Sequence, residues 1–260
     1  MRNKLFFILF FSAALFCFVC GPVHGYAGPL VLFDQSHGQR FFIEKNRPLD
    51  LSGLAVLFVD QGATVTVSRA SLTRKTLRDV DVLIIAGAFA PIRQSEIEAI
   101  AEFLERGGKL AVMIHIGKPF HGLLDRLGVG ISVAPVYEQQ HVLARNPRHF
   151  TVRQFASHPL TRGLEGFNVY GGWALLNKKK NTEVVAHTSD QAWIDMDKNG
   201  KVSHSDAVQS FPVIVAGRLG QGRFVVFADD AIFQNGFLRD GNLDLARNLA
   251  LWFCPQRVAI

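Results

Sequence analysis

"GGKLAVMIHIGKPF", Gly107 to Phe120, is the stretch on which the reading of the fold depends. An apolar run this short, entered from a glycine pair and left through Gly117 and Pro119, reads as a buried strand rather than a helix. It ends on His115, with one further residue before Gly117. An imidazole at the tip of an apolar strand needs either a partner or a task.

The segments upstream set that strand in a repeating order. "GPLVLFD" (28–34) and "DVLIIAGAF" (81–89) are further buried strands, and "ATVTVS" (63–68) alternates as a strand. Between them, "LSGLAVLFVDQG" (51–62) has helical spacing and stops at Gly62. "EIEAIAEFLERGG" (96–108) is amphipathic, with Pro91 before it and Ser95 and Glu98 in capping-box spacing. Strand and helix alternating at short intervals imply right-handed crossovers and a mostly parallel sheet with helices on both faces. Ligands on such sheets gather at the carboxyl ends of the strands, where Asp34, Gly87 and His115 fall.

Downstream the pattern becomes β-rich. "FTVRQF" (150–155), "FNVYGGWAL" (167–175) and "TEVVAHTS" (182–189) read as short strands. "FPVIVAGRLGQGRFVVFADD" (211–230) reads as a hairpin, and "NLDLARNLALWF" (242–253) as a closing helix with Asn242 as its cap. Without a repeat or low-complexity linker, residues 28–256 form one domain with an added β-rich second half.

The first 27 residues read as a secretory signal: Arg2 and Lys4 precede an apolar run from Leu5 to Val19, and no acidic residue comes before Asp34. "VHGYAG" places cleavage after Gly25 or Ala27, so the protein is expected to be exported, to a periplasmic or extracellular location, with no transmembrane helix left. Lipoprotein processing wants a small residue before its cysteine, whereas Phe16 and Val19 precede Cys17 and Cys20. Cleavage leaves Cys254 as the only thiol, so an internal disulfide is excluded and the core alone must hold the fold. Subtracting the two leader cations from the formal charge of +6 leaves about +4. That excess is scattered apart from "NKKKN" (177–181), which reads as a solvated loop tip, and no nucleic-acid motif accompanies it.

Several of these pieces taken together, "VLFDQSHGQRF", "FLERGGKLAVMIHIG", "HPLTRGL", "GQGRFVVFADDAIFQN" and "NLDLARNLALWF", resemble the class I glutamine-amidotransferase-like superfamily. The similarity is closer to its secreted or membrane-associated branch, which includes auxiliary proteins of gliding-type ABC transporters and the GIFT domain of intraflagellar transport. The resemblance implies a flavodoxin-like, amidotransferase-like α/β fold. In the amidotransferases a Cys on a strained strand-to-helix turn stands where this chain has His115. An imidazole is seldom built as an amidase nucleophile, and no Ser, Thr or Cys lies within two residues of it. Amide cleavage is therefore not expected. The branch implies envelope or ABC-transporter components as partners, with a carbohydrate ligand as a further expectation.

Asp34, His37 and Gln39, just beyond the first strand, are the first choice for a ligand site, although Asp34 as a local cap and His37 as a turn residue explain the same pattern. Asp229 and Asp230 follow a buried strand, where one caps the next turn and the other is free to join Asp34. His115 is either a satisfied strand-end histidine or a ligand contact. The rival to a binding module is a hydrolase using Asp34, His37, His115 and Asp229; a structural scaffold is the third reading.

"DMDKNGKVSHSD" (195–206) follows the EF-hand calcium pattern, with Asp195, Asp197, Asn199, Ser203 and Asp206 as oxygen ligands at loop positions 1, 3, 5, 9 and 12. Its last ligand is Asp rather than Glu, its flanks read as strands, and Asn199-Gly200 is equally a hairpin turn. A stabilising Ca²⁺ is the cofactor this loop suggests.

Overall fold

The computed structural model describes residues 28–255; the leader, Cys17 and Cys20 lie outside the described residues. In chain order the elements are β1 (Leu30–Asp34), α1 (Ser52–Asp60), β2 (Thr64–Ser68), β3 (Val82–Ala86), α2 (Gln94–Glu105), β4 (Lys109–Met113), α3 (His121–Leu127) and β5 (Val129–Tyr137). There follow β6 (Val142–Leu143), β7 (Asn146–Val152), β8 (Gln154–Phe155), β9 (Phe167–Tyr170), β10 (Trp173–Asn177), β11 (Thr182–His187) and β12 (Trp193–Ile194). The chain closes with β13 (Ala207–Val208), β14 (Pro212–Leu219), β15 (Gly222–Phe227) and α4 (Asp240–Phe253).

The main sheet has eight strands in the order β2-β1-β3-β4-β15-β14-β11-β8. The first five run parallel and the last three antiparallel. The centre is the most apolar part: β3 is buried along its whole length, and β4 along all but Lys109. Phe33, Phe58, Phe103, Phe224, Phe227 and Phe253 fill the core around them, each stabilising the fold by roughly 1.5–3 kcal/mol.

Two smaller antiparallel sheets, β10-β5-β12-β13 and β6-β7-β9, carry the rest of the second half. The expected helical layer on each face is not what forms. Helices are few, α1 contacts α4, α2 contacts α3, and the antiparallel side of the main sheet has β10 packed against β14 instead. The α/β character stands, in a strand-rich form. Among the described residues no helix is long and apolar enough to cross a membrane.

Two helix starts differ from the sequence reading. Helix α2 begins earlier, with Arg93 at its cap and Glu96 Oε2 accepting the Arg93 N–H at 3.1 Å, so Ser95 and Glu98 form no box. Helix α4 begins at Asp240, and Asn242 is a buried stitch rather than a cap. Its Oδ1 accepts the Asn168 N–H at 2.6 Å and its Nδ2 donates to the Asn168 carbonyl at 3.2 Å, tying β9 to the helix.

The β14–β15 hairpin delivers β15 into the middle of the sheet, and one glycine makes this possible. A Cβ at Gly222 would stand 2.3 Å from the Leu104 carbonyl oxygen and 2.4 Å from that of Gly108. Both obstacles are backbone, so relief requires the end of α2 to move. Gly222→Ala should destabilise the protein by about 2 kcal/mol or more, read as a lower urea midpoint; an unchanged midpoint would show that this packing is not tight.

Candidate functional site

The residues at the carboxyl ends of the parallel strands form two separate clusters. The first is built on Asp34. Its Oδ2 accepts from His37 Nδ1 and Gln39 Nε2, both at 2.6 Å, and its Oδ1 accepts from the Ser36 hydroxyl at 2.7 Å. The other ring nitrogen, His37 Nε2, bonds Glu96 Oε2 at 3.1 Å, and Glu96 Oε1 accepts the Leu72 N–H at 3.0 Å. Asp34, His37, Gln39 and Glu96 are all buried.

An imidazole with a carboxylate on each nitrogen donates to both and is held as imidazolium. Burial works against that charge, but the hydrogen bonds and charges of Asp34 and Glu96 outweigh it and raise the His37 pKa. Glu96 is lowered: burial opposes ionisation, and the Arg93 N–H, His37 and the Leu72 N–H overcome it. The His37 carbonyl accepts the N–H groups of Phe89 and Ala90 at 2.9 and 2.8 Å. The cluster is thus a clamp joining the β1 loop, the β3 loop and the start of α2. Its polar atoms are used internally, so Asp34, His37 and Gln39 hold the site's wall rather than present a ligand surface.

The second cluster is built on His115. Backbone bonds from Gly87 N to Met113 O (2.9 Å), Ile114 N to Phe227 O (3.1 Å) and Asp230 N to Ile114 O (3.0 Å) fix the end of β4 between its neighbours. They bring Asp230 Oδ1 to 3.0 Å from His115 Nδ1. Asp230 therefore pairs with His115, not with Asp34 as the sequence left open. The hydrogen bond to Asp230 raises the His115 pKa against the effect of burial. The ring is 38% exposed, with Phe41 and Phe89 at centroid distances of 5.1 and 5.2 Å, and Trp173 Nε1 donates to the His115 carbonyl.

Asp229 takes the capping part, accepting the Ala231 N–H at 3.0 Å and the Tyr170 N–H at 2.6 Å. Burial, then the charge of Asp230, pushes its pKa up to about 7. Asp230 Oδ2 is buried without a hydrogen-bond partner among the described residues. It faces Gly87, whose φ is +59° and where a Cβ would stand 2.7 Å from that oxygen. His115 itself is not among the non-glycine residues with positive φ, so the strained turn implied for a nucleophile at its position is absent.

The four residues of the rival hydrolase are split: Asp34 and His37 satisfy each other, while His115 and Asp229 belong to the other cluster. Sequence reading missed Glu96, Phe41, Phe89 and Arg40, whose guanidinium lies 4.6 Å from the Phe89 ring. Glu96 sat at a polar position of an amphipathic helix, where nothing marked it as buried. Part-buried Tyr170 packs on Phe237, with ring centres 4.1 Å apart, and on His149.

The 195–206 loop links β12 and β13, which pair as antiparallel strands. Oxygens of Asp195, Asp197 and Asp206 lie within 4.8 Å of one another. Asn199 Oδ1 instead accepts the Lys201 N–H at 2.7 Å, and the Ser203 hydroxyl donates to Asp197 at 3.0 Å. The carboxylates converge, although they too accept bonds from the loop: Asp195 from the Asn199 and Gly200 N–H groups and Asp206 from those of Met196 and Ser203. Three hard oxygen donors fit Ca²⁺ better than a softer metal.

Fold and site together define an α/β protein with a part-exposed His115 paired to a buried Asp230 at the carboxyl ends of its parallel strands. The chain belongs to the family described as Domain of unknown function (DUF4350), whose model matches residues 44–250. Among curated proteins none matches. Of solved structures, the mmIFT52 N-terminal domain is similar with a TM-score of 0.70 at 15% identity, covering 89% of this chain and 100% of that one. A thua-like protein from Bacteroides uniformis aligns with a TM-score of 0.52 at 13% identity over 91% of this chain and 96% of its own. A cytoplasmic protein from Salmonella typhimurium LT2 gives 0.53 at 16% identity over 87% and 97%. At these identities the likeness is one of fold.

Because the folded pKa of His37 lies above the unfolded value of 6.5, its contribution to stability is full below pH 6.5 and is lost as pH rises through the folded pKa. His37→Gln should cost about 3 kcal/mol at pH 6, since it strands two buried carboxylates. The gap from wild type should narrow on the alkaline side, as followed by urea denaturation across pH. A gap that widens with pH would refute the clamp.

Proposed function

We propose that this protein is an exported binding or accessory module on an amidotransferase-like scaffold, which holds a ligand at the His115 crevice without cleaving it. The observation that carries this reading is the state of His115. Its Nδ1 is engaged by Asp230, its ring packs beside the Phe41–Phe89 pair, and among the described residues no hydroxyl or thiol hydrogen-bonds to it. A positioned imidazole beside two aromatic rings suits a hydroxyl-rich ligand with an apolar face, such as a sugar. The leader ending at Gly25 or Ala27 and the family resemblance support an envelope or ABC-transport complex as the setting. The fold likeness to a thua-like protein accords with the scaffold.

His37→Ala is not a clean probe, because the clamp would fail with it. His115→Ala removes a half-exposed ring and leaves the clamp intact. Isothermal titration of the wild type with an oligosaccharide panel should give a saturable signal that His115→Ala abolishes, with no turnover of ester, amide or glycoside substrates. Turnover that disappears in the same variant would replace this reading with the hydrolase; no binding at all would leave the scaffold.

The convergence of Asp195, Asp197 and Asp206 favours a second assignment, a Ca²⁺ that staples the β12–β13 hairpin. Saturating calcium should then raise the melting temperature by about 3 °C over chelator-treated protein, and Asp195→Asn should abolish the difference. An equal melting temperature with and without chelator would exclude a stabilising ion.

A further inference from the structure

At the other end of the same strands, a row of cations crosses the sheet. Arg218 and Arg223 are directly opposed across the β14–β15 hairpin, and Arg223 is in turn the register partner of Lys109 in β4. Like charges directly opposite one another destabilise a strand pair. Among the described residues neither arginine forms an ion pair, whereas Arg47, Arg69, Arg74, Arg126 and Arg247 each have a carboxylate. Lys109 is partly screened, its Nζ donating to the Phe253 carbonyl.

This row borders a cavity of about 510 Å³, whose lining includes Arg218, Arg223, Lys180, His158, Glu183 and Trp252. The Arg223 guanidinium lies 5.6 Å from the Trp252 ring centre, which holds it in place. His158 is an independent pointer. Its side chain is 8% exposed, and its Nδ1 accepts the Leu160 N–H at 3.1 Å, so in the neutral ring the proton sits on Nε2. That N–H has no hydrogen-bond partner among the described residues; Glu183 Oε1, at 3.8 Å, is out of range. A mostly buried side chain thus keeps one donor unpaired and open to the cavity, where three cations meet a single carboxylate.

We propose that this cavity is an anion-binding site for a small molecule bearing a phosphate or sulfate group, gripped by Arg218 and Arg223 with Lys180 and His158 Nε2 completing the donors. Two planar guanidinium groups carried by directly opposed residues on one cavity wall suit the oxygens of a tetrahedral anion, and the anion relieves their mutual repulsion. The cavity has room for a hexose-sized body beside the charged group. The site is independent of the His115 crevice, which lies beyond the opposite ends of β4 and β15.

The test is calorimetric titration at constant ionic strength with inorganic phosphate, inorganic sulfate, glucose 6-phosphate and glucose. Wild type should give saturable heat with the phosphorylated or sulfated probes and none with glucose. Arg218→Gln and Arg223→Gln should each weaken binding about tenfold or more. In chloride buffer Arg218→Gln should melt at or above the wild-type temperature, since it removes repulsion; phosphate should raise the wild-type melting temperature and not that of the variant. Absence of saturable heat in the wild type, wild-type affinity retained in either variant, or equal binding of glucose would overturn the proposal.

Discussion

The buried chain of Asp34, His37 and Glu96 is the constraint on which the His115 cluster depends. One imidazolium neutralises two carboxylates that could not share a dry space without it. Through the His37 carbonyl the same residue also fixes the backbone of Phe89 and Ala90, and through Glu96 it anchors the first turn of α2. Phe89 is one of the two rings that frame His115. The shape of the His115 cluster is therefore set by charge pairing in the neighbouring buried cluster.

That division of labour explains how the same residue types do different work at neighbouring strand ends. A carboxylate on both nitrogens makes His37 an internal cation with nothing left to offer. His115 has one carboxylate on one nitrogen, and the second nitrogen has no partner among the described residues. Asp230 is in turn only half engaged, with one buried oxygen unpaired beside Gly87. Unmet hydrogen-bonding capacity, rather than residue identity, separates the wall from the crevice.

Much of the parallel half was legible in the sequence, because β1, β3 and β4 are continuous apolar runs and such runs have few other readings. The β14–β15 hairpin was legible for its glycine-rich turn. The positions of the candidate residues were legible, but their pairings were not. Asp34, His37, His115, Asp229 and Asp230 all fall at strand ends, yet which carboxylate meets which ring depends on strand order: β15 inserts beside β4, so Asp230 reaches His115, while Glu96 comes to His37 from 59 residues away. Asn242 and Ser95 were misread for a related reason. Cap-forming residue types also serve as buried stitches or plain surface, and only tertiary packing decides.

The strand order has a consequence for how the molecule is made. Strand β4 finds one neighbour, β3, nearby in the chain, but the other, β15, begins more than a hundred residues later. Until that segment has been synthesised and delivered, a central edge that is apolar but for Lys109 stands open to any other extended chain. Assembly is thus governed by a late, long-range closure, slow by the usual relation between sequence separation and rate, and exposed to self-association while it waits. A polypeptide of this design gains from being kept from self-association until its final hairpin is in hand.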